Sequence, residues 1–165
     1  MQAGRIAPIV IADFNPSLAD DFRRLNEEWI THFFELENAD RKVFADPEKE
    51  VIEPGGYIIF ALEGNIAVGT VALFKRAKGE FELGKMAVTP KMQGRDIGKR
   101  LMQAAIDRAK TSNAHRIYLE THDKLIPAVN LYRSFGFTPV NNTKSTVYAR
   151  VNLIMELIFS PPNLR

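Results

Sequence analysis

The sequence predicts a mixed α/β fold in which a mostly antiparallel central sheet carries helices on its faces. Three observations predict it. Runs rich in β-branched and aromatic residues recur between Gly, Pro and Asn and read as strands. Apolar residues at steps of three and four mark helices, first at Leu18, Phe22, Leu25, Trp29 and Phe33 and again at Ile97, Leu101, Ala105 and Ala109. Their order, β, α, α, β, β, β, α, β, α, β, β, sets a three-strand meander ahead of two strand–helix units. That order fits neither a repeating βαβ barrel nor an all-β sandwich.

Each element has a local reason. Ile6–Ala12 is β-branched and predicts a strand, which Asn15-Pro16-Ser17 breaks while offering a helix cap. The stripe from Leu18 to Phe33 predicts an amphipathic helix with Trp29 and Phe33 as core residues. A second, short helix is predicted over Ala39–Ala45, ended by Pro47. Pro54-Gly55-Gly56 turns the chain into a strand over Tyr57–Leu62. Glu63-Gly64-Asn65 is a hairpin connection, and Ile66–Phe74 returns. After the polar Lys75–Gly79 turn, Phe81–Val88 is the third strand of the meander, stopped by Pro90. Strand Ile117–Thr121 follows the second long helix. Pro127 is placed to open a last helix that Gly136 ends. Phe137–Val140 and Val147–Phe159 are predicted as closing strands.

At 165 residues the chain predicts one domain over 1–165, and its 45% apolar and 25% charged residues are those of a folded globular protein. The 22 basic and 20 acidic residues leave a net charge of +2, too balanced for a nucleic-acid footprint. Cysteine is absent, which excludes disulfides, thiolate nucleophiles and cysteine-ligated metals. No apolar run approaches the ~20 residues that span a membrane, and no basic stretch followed by an apolar one opens the chain. A cytoplasmic protein is expected, with no membrane or nucleic-acid partner. The three histidines form no tight cluster, so no metal is expected.

Chemistry concentrates between Glu82 and Met102. A strand ends at Val88, and a loop with Gly94 and Gly98 opens into a helix. Loop N–H groups and a helix N-terminus together make an anion site, and Arg95, Lys99 and Arg100 add positive charge there. A diphosphate is the natural occupant. The spacing is that of neither a P-loop nor a dinucleotide-binding Gly-x-Gly-x-x-Gly.

Val88-Thr89-Pro90 followed by Gln93-Gly94-Arg95-Asp96-Ile97-Gly98 resembles motif A of the GNAT superfamily of N-acetyltransferases, Gln/Arg-x-x-Gly-x-Gly/Ala. Gln93 and Gly98 match, whereas Asp96 stands where a glycine is usual. Asp accepts the left-handed backbone that the loop needs more readily than most residues. Its charge beside a diphosphate is unfavourable unless it points away or caps the helix. Ala128, Leu131, Tyr132, Gly136 and Phe137 resemble motif B of the same family, although Leu125 replaces a frequent Asn. The resemblance covers roughly 57–140.

The resemblance implies a GNAT fold and an enzyme that moves an acetyl group from acetyl-CoA to a primary amine by direct attack. It implies that residues 93–98 and Lys99 hold the pyrophosphate through backbone N–H groups. Met86, Ala87 and Val88 would face the pantetheine arm as an added strand, and an N–H among them would stabilise the developing oxyanion. Tyr132 matches a tyrosine that protonates the departing thiolate; read alone, it is a core aromatic with a wet hydroxyl. Arg133 reads either as a phosphate contact or as a solvated charge.

The acceptor amine needs a base, since a protonated lysine-like amine carries a handicap of about 4 kcal/mol near neutral pH. Glu82 is the first candidate, and strand alternation would set Glu82, Gly84, Met86 and Val88 on one face. Glu120 is the second, sharing a face with Tyr118 and His122. Asp123 reads as a helix cap, Trp29, Phe33 and Phe34 lie where the acceptor pocket is expected, and Glu35, Glu37 and Asp40 read either as an attraction for a cationic amine or, more often, as a solvated helix face. The acceptor is a small-molecule or peptide amine, and a homodimer is left open. A non-catalytic acyl-CoA-binding regulatory module on the same fold is the alternative.

Overall fold

In chain order the strands are β1 (Ile9–Asp13), β2 (Tyr57–Glu63), β3 (Ile66–Lys75), β4 (Glu80–Val88), β5 (Arg116–Thr121), β6 (Thr138–Pro139) and β7 (Leu153–Ile158). The helices are α1 (Ala19–Phe33), α2 (Asn38–Ala45), α3 (Ile97–Thr111) and α4 (Ile126–Ser134). The computed structural model describes residues 7–141 and 147–159. Among the described residues one seven-stranded sheet runs β1-β2-β3-β4-β5-β7-β6, and only β4 and β5 pair in parallel. The mixed, mostly antiparallel sheet expected from the sequence is the one observed.

Helices cover both faces. On one face α3 lays Ile97, Leu101, Ala105 and Ala109 onto Ile59, Val71, Leu73, Phe81 and Leu83, and Val129 of α4 joins them. On the other, Phe22, Leu25 and Ile30 of α1 and Phe44 of α2 pack on Ile58, Phe60, Ala72 and Phe74. A five-residue π-helical turn, Glu48–Ile52, buries Val51 in the same cluster and has no signal in the sequence. β2 and β3 are apolar over nearly their whole length because they are covered on both faces.

Several boundaries differ from the sequence reading. β1 starts at Ile9 because its pairing with β2 ends at Ile9↔Glu63, and Ile6 lies outside the described residues. Asn15 does cap, accepting from the Ser17 N–H at 2.9 Å, but for a short 3-10 turn that precedes α1. Phe33 is 42% exposed rather than core, lying past the last buried turn of α1. Asp123 does not cap α4, whose N-cap is Leu125; it pairs instead with Asn152 at 2.9 and 3.1 Å. The last strand is Leu153–Ile158, much shorter than Val147–Phe159. Residues 147–152 leave the sheet because Arg150 is drawn across to α2, while 142–146 lie outside the described residues.

The largest correction concerns β4. Ala72 pairs with Gly84 but Thr70 with Ala87, so one extra residue is inserted opposite β3. The bulge centres on Lys85, whose φ is 50°. Ahead of it, Glu82 and Gly84 share the α1/α2 face. Beyond it, Met86 and Val88 pack with the α3 cluster, and Ala87 packs with the α1/α2 cluster. The single face predicted for Glu82, Gly84, Met86 and Val88 is therefore split in two.

Candidate functional site

The bulge coincides with a parting of strands. β4 and β5 pair only from Glu80↔Arg116 to Leu83↔Leu119. Beyond Leu83, β4 keeps β3 on one side and, among the described residues, has no strand partner on the other, leaving a backbone edge over Gly84–Val88 onto which an extended ligand could add. A cavity of about 530 Å³ opens at this parting. It is lined by the bulge, by β5 from Tyr118 to His122, by α1 and α2, by Tyr132 of α4 and by Tyr148 and Arg150.

The loop between β4 and α3 follows directly from that edge, at the same C-terminal end of β4. Gly94 has φ 81° and nothing within 4 Å of a notional Cβ, so its surroundings are open. Asp96 adopts the left-handed conformation, φ 60° and ψ 16°, as the N-cap of α3. Its side chain makes no cap hydrogen bond and lies 3.5 Å from Lys99 Nζ, both groups being exposed. The N–H groups of Asp96, Ile97, Gly98 and Lys99 have no partner within the helix, and they point out of its positive end. A Cβ on Gly98 would reach Leu131 and Met86 only at 3.5 and 3.6 Å, so the cradle has room around that position. The basic cluster is looser than the sequence suggests. Arg95 pairs with Glu63 at 3.3 Å, and Arg100 donates to the Ile9 carbonyl at 2.9 Å, which turns it toward β1.

Tyr132 lines the cavity, its ring 6.2 Å from that of Phe137. Burial pushes its hydroxyl up to about 12, so at neutral pH it keeps its proton and can donate it in a hydrogen bond. Arg133 is exposed on the neighbouring helix position. Glu82 and Glu120 both line the cavity, on the face that carries Tyr118 and opposite the buried Ile117 and Leu119. Arg76 grips one oxygen of Glu82, Oε1, with Nε at 3.0 Å and Nη2 at 2.8 Å. Trp29 and Phe34 wall the cavity, and Phe33 does not. Among the described residues no three acidic or histidine side chains gather as a metal would need, and no helix is long and apolar enough to cross a membrane.

The sequence reading missed the most tightly bonded group of all. Asp40, whose place in the sequence favours a solvated helix face, is 0% exposed. Both Nη groups of Arg150 reach its two oxygens at 2.7 Å, Lys85 pairs with it from the bulge, and the Glu37 N–H donates at 3.0 Å. Lys85 also donates to the Tyr148 hydroxyl at 2.9 Å, and Glu37 pairs with Arg150 at 3.1 Å. Burial opposes the Asp40 charge, but the Arg150 hydrogen bonds and the Lys85 charge outweigh it and hold its pKa at about 2. Burial pulls the Lys85 ammonium below its ordinary range, with Asp40 opposing, and pushes the Tyr148 hydroxyl well above the usual phenol value.

Comparison with known proteins bears directly on this geometry. The model of the Acetyltransferase (GNAT) family matches residues 16–137. An uncharacterized N-acetyltransferase of Schizosaccharomyces pombe is 30% identical over 148 residues, spanning 84% of this chain and 90% of its own length. A GNAT-family acetyltransferase from Staphylococcus aureus Mu50 superposes with a TM-score of 0.81 at 24% identity, over 90% of this chain and 98% of its own. The PaiA N-acetyltransferase of Thermoplasma acidophilum, solved in complex with coenzyme A, superposes with a TM-score of 0.74 at 16% identity, over 92% of this chain and 99% of its own.

Proposed function

The chain belongs to the GNAT family of acetyltransferases, and from that premise we propose that it transfers an acetyl group from acetyl-CoA to a primary amine by direct attack within a ternary complex. The observation that carries the reading is the coincidence, at the C-terminal end of β4, of the edge beyond Leu83 and the open N-terminus of α3. In this reading the N–H groups of 94–99 bind the pyrophosphate, and the edge of Met86–Val88 pairs with the pantetheine arm. That lays the thioester across the parting of β4 and β5, in front of the cavity that holds Glu82, Glu120 and Tyr132.

The protons then balance. A protonated amine yields one proton through water to Glu82 or Glu120. The neutral nitrogen attacks the thioester carbonyl, a C–N bond forms and the C–S bond breaks. The second N–H proton leaves with sulfur, relayed past the Tyr132 hydroxyl, so the products are an amide and a free thiol. A backbone N–H of the Met86–Val88 edge offsets the charge that develops on the carbonyl oxygen.

Acetyl-CoA at a hundred times its dissociation constant is expected to stabilise the protein by about 2.7 kcal/mol, read as a rise in melting temperature. No rise at millimolar acetyl-CoA defeats the reading. Binding without thiol release across a broad amine panel would point to a non-catalytic module.

Asp96 tests the diphosphate site separately. Asp96→Gly keeps the left-handed conformation and removes a negative charge from the mouth of the helix. Binding of acetyl-CoA is expected to tighten two- to fivefold, on the order of 0.5–1 kcal/mol for a charge at a helix terminus. Titration calorimetry at low salt reads it, and weaker binding in the variant would place the diphosphate elsewhere.

A further inference from the structure

The rim of the cavity on the α1/α2 side is stitched from four chain segments. Arg150, in the segment before β7, is clamped to the buried Asp40 of α2 at 2.7 Å and to Glu37 at 3.1 Å. A second clasp holds the end of α1, where Lys124, from the β5–α4 loop, lies 4.1 Å over the Phe34 ring and donates to the Phe33 carbonyl at 3.4 Å. The two clasps are joined to each other. The Asn152 N–H donates to the Thr121 carbonyl at 3.0 Å, and Asn152 and Asp123 exchange hydrogen bonds at 2.9 and 3.1 Å. The acetyl-transfer chemistry uses none of these clasp residues.

Inside that rim Trp29, Ile30, Phe34 and Val43 of the α1/α2 side supply an apolar patch beside the polar Asn26 and Lys42, and the carboxylates of Glu82 and Glu120 lie on the sheet side. The charges of the rim are largely spent on one another, Asp40 and Glu37 against Arg150 and Lys85. The whole cavity is about 530 Å³, toward the small end of ordinary ligand sites, and it must also admit the thioester end of the cofactor.

Resting on the acetyl-transfer reading, we propose that the acceptor is a primary amine at the tip of a slender, apolar body that enters end-on, and that the Arg150–Asp40 clasp positions the wall it slides against. A lysine on a folded surface would have to press its neighbours against the stitched rim. The same end-on chemistry comes from two sources, a free arylalkylamine or the unblocked first residue of an unfolded peptide.

Thiol release from acetyl-CoA tests this with 2-phenylethylamine, a short unblocked peptide that begins with an aromatic residue, and a folded lysine-rich protein. The better of the first two is expected to exceed the folded protein, per amine, by about a hundredfold in kcat/KM, and the difference between them identifies the source. Arg150→Met is expected to raise the KM of that acceptor about tenfold with little change in kcat, and Arg150→Lys to recover part of it. The acetyl-CoA-induced rise in melting temperature serves as the control and is expected to persist. Should Arg150→Met fail to fold, Lys124→Met on the other clasp is expected to raise the same KM. Equal turnover of the folded protein, or an unchanged acceptor KM in a folded clasp variant, overturns the proposal. An unaltered protein with no acetyl-CoA response would instead bring down the reading on which the proposal rests, so the two failures are distinguishable.

Discussion

Asp40→Ala is expected to cost about 3–5 kcal/mol of stability, the loss typical when one partner of a buried ion pair is removed. Two cations would remain beside it, the Lys85 side chain 7% exposed and that of Arg150 16% exposed, with Glu37 and the more distant Glu82 left to offset them. For a chain of this length that corresponds to a fall in melting temperature on the order of 10 °C. The same carboxylate gives the network a signature in pH. Its folded pKa, about 2, lies below the ordinary 3.8, so its stabilisation is fully present above the ordinary value and is lost as pH falls through 3.8 toward 2. The amount is about 2 kcal/mol at 1.4 kcal/mol per unit. Urea midpoints measured between pH 5 and pH 2 should fall more steeply in the unaltered protein than in Asp40→Asn, which keeps the shape and lacks the titrating charge. Parallel curves would show that Asp40 does not carry the difference.

This network is also where sequence reasoning reached its limit, and the reason is physical. A helix such as α3 announces itself because its apolar stripe repeats every three to four residues, and the strand–loop–helix that holds the diphosphate candidate is written in one consecutive stretch, Glu82–Met102. Asp40 and Arg150 are 110 residues apart, so neither position carries any trace of the other. An Asp near a helix start reads as solvated unless its partner is known. Arg150 lies in a stretch whose flanking residues, Val147 and Val151, read as strand, yet it leaves the sheet to pair with Asp40 and Glu37. The bulge was equally hidden. Lysine has no preference for a positive φ, so nothing at Lys85 signals an inserted residue, and the period of two was carried straight through it. A one-residue insertion reverses every later side chain, which is why Glu82 and Met86 were assigned to one face and occupy two. Asp96 is the opposite case. Its left-handed backbone was legible because Asp is one of the few residues that accept it, and because the motif around it demanded a turn there.

Tyr132→Phe is expected to lower kcat by about a hundredfold while leaving acetyl-CoA binding and stability nearly unchanged. The ring remains to pack against Phe137, and only the hydroxyl is lost. A hundredfold is the usual effect of removing one donor aimed at charge that forms in a transition state. The hydroxyl's own acidity decides which kind of donor it is. Held up to about 12 by burial, it is a much weaker acid than an ordinary thiol at about 8.5. Complete transfer of its proton to sulfur would run uphill by about 5 kcal/mol. Donating a hydrogen bond to the departing sulfur, while the proton itself comes from the attacking nitrogen, avoids that cost. The two roles separate in the pH dependence. Above pH 9 a thiolate is a stable product, so a residue needed only to deliver a proton should matter less and less, and the deficit of Tyr132→Phe would shrink toward unity. A hydrogen bond that stabilises forming charge is needed at every pH below the point where the phenol itself ionises. The expected result is therefore a deficit that stays constant from pH 7 to about 10 in kcat with saturating amine. A deficit that vanishes across that range would return Tyr132 to the role of proton donor, and equal rates at pH 7 would remove it from the chemistry.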